Sequence, residues 1–127
     1  MRAAALLVAL ALPLTAARSE PADPDPFAGR VAGKPARCVA LRQSDGPTIA
    51  ADGVVILRRG AGRIWRANLI GPCPNLRPFN TVITEVYGGQ LCRNDRFRVL
   101  EPNLSIPGPY CRFGSFTPYD LPKERSD

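Results

Sequence analysis

Hydrophobic and polar residues alternate along much of the chain between residues 37 and 119. In the segment 96–100, for example, Arg96 and Arg98 alternate with Phe97 and Val99, as in a strand that buries one face. β-branched residues, which fit a pleated surface, are frequent in the same region. The segments with strand character are 38–41, 48–51, 54–57, 63–70, 81–87, 90–92, 96–100 and 110–116.

Short turns separate these segments. Asp52-Gly53 suits a tight hairpin because both residues tolerate a positive φ, and Gly88-Gly89 marks a second hairpin. Within the segment 63–70, alternation places Trp65, Ala67 and Leu69 on one face. Short strands at this close spacing predict an all-β domain, either a small antiparallel barrel or a sandwich-like meander.

The first residues have the composition of a signal peptide. Met1-Arg2 precedes an apolar run from Ala3 to Leu12, and small residues follow up to Ala17. We expect cleavage after Ala17, which makes residues 1–17 the signal peptide. The apolar run is shorter than the ~20 residues that cross a bilayer, so we expect no transmembrane segment in the mature chain. The predicted location is therefore periplasmic or secreted.

The predicted β domain has flanking segments of different composition. Residues 18–36 are rich in proline and small polar residues, which indicates a flexible linker. Residues 120–127 are predicted to be a disordered tail. Residues 37–119 then form the folded unit.

The four cysteines predict two disulfide bonds. Cys38, Cys73, Cys92 and Cys111 are far apart in sequence and contain no C-x-x-C pair, and the chain has no histidine. In an exported protein this spacing favours disulfides over a metal site. Three connectivities are open; we favour Cys38–Cys111 with Cys73–Cys92, since closure of a barrel joins its first and last strands. Such bonds are useful where a small domain has a limited core.

The cysteines lie in distinctive local sequences, namely Arg37-Cys38-Val39, Gly71-Pro72-Cys73-Pro74-Asn75-Leu76, residues 88–95 and residues 110–116. Together these resemble a domain-of-unknown-function family of short exported proteins from Gram-negative bacteria, over residues 37–118. The chain departs at Asn94, where such proteins tend to carry glycine, although asparagine also suits a left-handed turn. The resemblance implies an envelope location and no established activity.

The chain has a formal charge of +6, and arginine accounts for fifteen of its seventeen basic residues. Four arginines surround the predicted turn at 60–62 and form a candidate anion-binding site: Arg58, Arg59, Arg63 and Arg66. A three-residue hairpin loop would place Arg59 opposite Arg63, where like charges repel unless an anion lies between them. The alternative is a solvated hairpin end whose charges are screened.

A second basic set contains Arg93, Arg96, Arg98 and Arg112, with Phe97 and Phe113 close by. Basic residues interleaved with aromatic ones are typical of surfaces that bind single-stranded nucleic acid. Alternation, however, places Phe97 on the face opposite Arg96 and Arg98, where it would join the core. Because export also removes the usual substrate, we expect no nucleic-acid partner.

The sequence offers little for catalysis. Without histidine there is no Ser-His or Cys-His pair. Glu85 and Glu101 are candidates for an acid/base pair, but nothing in their spacing predicts that they lie close together. We therefore expect no enzyme activity and no cofactor, and predict a non-enzymatic interaction module for an unknown protein or an anionic envelope component. The alternatives are an inhibitor of an exported hydrolase that inserts residues 101–109, an anion-binding protein using the arginine-rich turn, and a thiol or metal site. The oligomeric state is left open.

Overall fold

The computed structural model describes residues 9–14, 16–17 and 25–123. Residues 1–8 and 15 of the predicted signal peptide, 18–24 of the predicted linker and 124–127 of the predicted tail lie outside the described residues. The described residues contain no helix long and apolar enough to cross a membrane.

The described chain is all-β, as predicted. A 3₁₀ turn at Leu41–Gln43 lies among the strands. The residues that the structure describes form nine strands: β1 (Val31–Ala32), β2 (Cys38–Ala40), β3 (Thr48–Ala51), β4 (Val54–Arg59), β5 (Arg63–Ile70), β6 (Thr81–Thr84), β7 (Gln90–Cys92), β8 (Arg96–Leu100) and β9 (Cys111–Asp120). Eight of these strands overlap predicted segments, and β1 is an addition. The second hairpin expected around Gly88-Gly89 was wrong as a pairing of strands, because β6 pairs with β8 and β7 pairs with β2.

The main sheet is antiparallel and almost closes into a barrel. Its strand order is β3-β4-β5-β9-β8-β6, and β1 also pairs with β9. The two edge strands β3 and β6 approach each other, with Cα atoms within 8 Å. A separate two-stranded sheet is formed by β2 and β7.

The core consists of the inward-facing residues of these strands. The predicted common face of Trp65, Ala67 and Leu69 is confirmed: Ala67 is buried in the core, and Trp65 and Leu69 pack against it. Phe97 and Phe113 stack with ring centroids 4.3 Å apart, and Phe116 lies 5.6 Å from Phe113. These three phenylalanines are essentially inaccessible to solvent, and full burial of such a side chain stabilises a fold by about 1.5–3 kcal/mol.

A bulge in β9 lets Phe113 and Phe116 share the core. Side chains three positions apart on a regular strand point to opposite faces. Here Leu69 pairs with Phe113 and Ala67 pairs with Phe116, so β9 contains one more residue than β5 between these pairs. Gly114 lies within the bulge, where a Cβ atom would meet the Asn68 carbonyl oxygen at 3.0 Å. Only glycine fits there without movement of β5.

The folded unit begins earlier than predicted. Part of the segment 18–36, which we predicted to be a flexible linker, forms β1 and pairs with the end of β9. Phe27 packs on Tyr119 with ring centroids 4.5 Å apart, and Ala36 forms a β-bridge with Phe116. Strand β9 also continues to Asp120, one residue past the predicted end of the domain.

The favoured disulfide connectivity was wrong. The bonds join Cys38 to Cys92 and Cys73 to Cys111, instead of Cys38 to Cys111 and Cys73 to Cys92. The physical reason is that β2 does not close the barrel: it pairs with β7, which makes Cys38 and Cys92 direct cross-strand neighbours. Cys73 follows β5 and Cys111 begins β9, the strand next to β5.

The bulge predicts that Gly114→Ala destabilises the protein. The new methyl group would press on the β5 backbone, and overpacking of this kind costs about 1–3 kcal/mol. Gly62→Ala is the matched control, because Gly62 is exposed with open space around its Cα. Denaturant unfolding should show a loss for Gly114→Ala alone; equal stability of the two variants would contradict the proposed role of the bulge.

The connectivity predicts two specific cystine peptides. Proteolysis of the oxidised protein, followed by mass analysis with and without reduction, should link Cys38 to Cys92 and Cys73 to Cys111. A peptide joining Cys38 to Cys111 would instead restore the pairing expected from the sequence and would require a different strand order.

Candidate functional site

The four arginines of the predicted anion site lie on two opposite faces of the sheet. As expected, Arg59 and Arg63 are direct cross-strand partners. Arg58 pairs with Ile64 and Arg66 pairs with Ile56, so both point away from the core-side face that Arg63 shares with Trp65. The four side chains therefore do not form a single site.

A carboxylate already occupies the position next to Arg63. Asp120 is the β9 partner of Arg63, and it accepts hydrogen bonds from Arg63 Nε at 2.7 Å and Nη2 at 2.8 Å. The hydrogen bond from Arg63 lowers the pKa of Asp120, and the same bond raises the pKa of Arg63. The sequence did not reveal this partner because Asp120 falls in the segment predicted to be a tail.

Arg30, in the segment before β1, forms hydrogen bonds with the turn between β4 and β5. Arg30 donates from Nη1 to the Gly62 carbonyl at 2.7 Å and from Nη2 to the Ala61 carbonyl at 3.3 Å. A cavity of about 400 Å³ lies beside Arg63 and Asp120. An anion entering it would compete with Asp120 for the Arg63 guanidinium.

A larger groove of about 540 Å³ lies where the N-terminal segment meets the β3–β4 hairpin. Its lining includes Phe27, Val54 and Pro78, and the Arg66 guanidinium lies 5.6 Å from the Phe27 ring centroid. Asp25, which also lines the groove, accepts a hydrogen bond from the Phe27 backbone N–H at 3.0 Å. The Arg66–Phe27 contact thus joins the segment to β5, while Asp25 fixes the local backbone of the segment.

The second arginine set, in contrast, is brought together. Arg96 and Arg112 are cross-strand partners in β8 and β9, and Arg112 Nη1 donates to the Asn94 carbonyl at 3.4 Å, next to Arg93 in the turn. Arg98 lies two residues after Arg96 on the same face of β8. The structure confirms that Phe97 and Phe113 are buried in the core.

The Tyr110 ring contacts two of these guanidinium groups. The Arg96 and Arg98 Cζ atoms are 4.5 and 5.0 Å from the Tyr110 ring centroid. Glu85 accepts a hydrogen bond from Arg96 Nη2 at 3.1 Å, and the Tyr110 hydroxyl donates to Glu85 Oε1 at 3.5 Å. We call the outward-facing set Arg93, Arg96, Arg98, Tyr110 and Arg112 the arginine–tyrosine face.

Glu85 and Glu101 do not form a pair. Thr84 is opposite Phe97 and Thr81 is opposite Leu100, so the two glutamates lie at opposite ends of the β6–β8 ladder. At about 3.3 Å per residue, this register separates them by more than the reach of either side chain. They are not placed for acid/base chemistry on one bond.

Arg98 also fixes the base of the loop 101–109, which we call the proline loop. Its Nε donates to the Gly108 carbonyl at 2.7 Å and its Nη2 donates to the Pro107 carbonyl at 2.8 Å. The Gly108 N–H in turn donates to the Val99 carbonyl at 2.9 Å. At the outer end of the loop, Leu104 and Ile106 are 53% and 79% exposed. The sequence predicted the loop but not the role of Arg98.

The Arg63–Asp120 pair predicts a pH-dependent effect of Asp120→Asn. Because the pKa of Asp120 is lowered on folding, the pair stabilises the protein fully above the ordinary aspartate pKa of about 3.9. This contribution is lost as the pH falls through the lowered pKa. The variant should be less stable by about 0.5–1 kcal/mol at neutral pH, as for other partly exposed ion pairs, and the difference should vanish in acid.

Unfolding by urea across this pH range measures the effect. Asp52→Asn is the matched control, because asparagine suits the turn before Gly53 equally well. If the loss for Asp120→Asn persisted unchanged at low pH, the ion pair would not be its cause.

Comparison with known proteins assigns no family. No protein-family model matches the chain, and neither a curated protein nor a solved structure does. The resemblance to short exported four-cysteine proteins therefore stays a prediction.

Proposed function

We propose that the chain is a non-enzymatic, exported interaction module that contacts a protein partner through the proline loop. The observation that carries this proposal is the pair of hydrogen bonds from Arg98 to the Pro107 and Gly108 carbonyls. They fix the base of a loop that exposes Leu104 and Ile106.

A fixed loop lowers the cost of binding. Ordering flexible side chains and backbone on association opposes binding, and a pre-ordered loop avoids much of this cost. Leu104 and Ile106 then supply the gain: full burial of a fully exposed aliphatic side chain is worth about 1.5–3 kcal/mol, and 53% of Leu104 and 79% of Ile106 are still exposed and can be buried. An exposed pair of aliphatic residues on an ordered loop is suited to a shallow apolar depression on a partner.

The scaffold behind the loop supports the same role. Cys111 lies two residues after the loop and is buried and bonded to Cys73, so a disulfide fixes the start of β9, the strand that follows the loop. All four cysteines are bonded, and the free thiols that the thiol or metal alternative requires are thus consumed. One arginine of each set is paired with a carboxylate, Arg63 with Asp120 and Arg96 with Glu85.

Site-specific photocrosslinking tests this function. A photoreactive residue at position 106 of the exported protein should form a discrete adduct with one partner, and Leu104→Ser should weaken it about tenfold or more. Position 121 is the control, because Leu121 is similarly exposed but lies after β9, away from the loop. The same adducts at both positions, or adducts insensitive to Leu104→Ser, would contradict a loop-mediated contact.

The same variants separate an inhibitor from a general interaction module. If the partner is an exported hydrolase, the native chain should inhibit lysozyme-like glycosidases or proteases in a direct assay. Leu104→Ser with Ile106→Ser should then relieve the inhibition, while Leu121→Ser should leave it intact. Partner binding without inhibition would retain the module and exclude the inhibitor role.

A further inference from the structure

The arginine–tyrosine face concentrates positive charge on a small part of the surface. Arg37 is exposed and lies beside this face, because the Arg93 backbone N–H donates to the Arg37 carbonyl at 2.8 Å. Two carboxylates lie nearby: Glu85 pairs with Arg96, and Asp95 accepts a hydrogen bond from the Cys92 N–H at 2.7 Å. The four arginines of the face thus outnumber these two carboxylates.

This arrangement is unfavourable for the isolated protein. Arg96 and Arg112 are directly opposite each other on antiparallel strands, and like charges in such positions repel. Arg93 and Arg112 are both exposed. Negative charge brought close to this face would relieve the repulsion.

Aliphatic side chains accompany the arginines on the same face. Ile83 is the cross-strand partner of Arg98, and Ile70 is the partner of Arg112. They are 39% and 41% exposed, and Tyr110, which contacts Arg96 and Arg98, is 52% exposed. Tyrosine and arginine with neighbouring aliphatic groups are the composition of surfaces that lie at a membrane–water boundary.

We propose that this face binds an anionic phospholipid membrane. It is the outer surface of paired strands, whereas the two cavities lie elsewhere, beside Phe27 and beside Asp120. Arg96 and Arg98 already bind Glu85 and the loop carbonyls, so the face acts through its combined field and not by enclosing one small anion. The aliphatic neighbours favour a bilayer over a wholly polar acidic polymer. The proposal depends on export and not on the protein contact of the proline loop.

Vesicle sedimentation tests this inference. The oxidised mature protein should bind vesicles of equal parts phosphatidylglycerol and phosphatidylcholine in preference to pure phosphatidylcholine, and added salt should weaken binding. Arg93→Gln with Arg112→Gln should lower the partition coefficient about 25-fold, because each basic residue near such a surface contributes about 1 kcal/mol, or about fivefold.

The control removes the same charge from elsewhere. Arg42 and Arg77 are exposed, in the 3₁₀ turn and in the loop after β5, so Arg42→Gln with Arg77→Gln leaves the face intact. This variant should change partition less than about twofold. Arg93→Lys with Arg112→Lys should retain binding and confirm that the loss in the glutamine variant is electrostatic. Thermal unfolding would verify that all variants are folded.

Three results would overturn the proposal. Equal losses in the two glutamine double variants would mean that net charge alone drives binding. The absence of any preference for phosphatidylglycerol vesicles would exclude binding of the face to an anionic membrane. Binding of soluble polyglutamate without vesicle binding, abolished by Arg93→Gln with Arg112→Gln, would assign the face to an acidic protein segment. None of these results depends on Leu104 or Ile106, so the proline-loop proposal is tested separately.

Discussion

The bulge at Gly114 is the constraint on which the rest of the described structure depends. It allows Phe113 and Phe116 to enter the core from the same strand, although they are three positions apart. Residues beyond the bulge then have the register that brings Asp120 opposite Arg63 and Tyr119 beneath Phe27. Residues before it place Cys111 against Cys73 and Arg112 against Arg96. The bulge at this glycine thus sets which residues of β9 face their partners on both sides of it.

Local patterns predicted the strands well because each alternation reports the burial of one face over a few residues. The segments 63–70 and 96–100 became strands with the predicted bounds, and Asn94 adopts the expected left-handed conformation with φ of 75°. The disulfide connectivity was inaccessible to this reasoning, since it depends on which strands become neighbours. The same limit applies to β1. Its two residues are too few to show an alternation of hydrophobic and polar positions, and its pairing partners lie at the distant end of β9.

The two arginine sets show how little sequence proximity says about a charged site. Arg58 and Arg59 are adjacent in the chain and therefore point to opposite faces of β4. Arg96 and Arg112 are sixteen positions apart and become direct neighbours. Asp120, the carboxylate that pairs with Arg63, lies in the segment that was predicted to be a tail. Only the register of β9 against β5 shows that it lies opposite Arg63. Candidate sites in all-β proteins thus follow from strand order more than from motifs.

Arg98 connects the two surfaces for which functions are proposed. Its guanidinium donates to the base of the proline loop and lies over the Tyr110 ring of the arginine–tyrosine face. A change at Arg98 would therefore disturb both surfaces, whereas Ile106 belongs to the loop alone and Arg112 to the face alone. Because both surfaces adjoin Arg98 on β8, a partner bound by the loop would lie beside the membrane that the face contacts. The two binding events would then reinforce each other through proximity, without any conformational change in the scaffold.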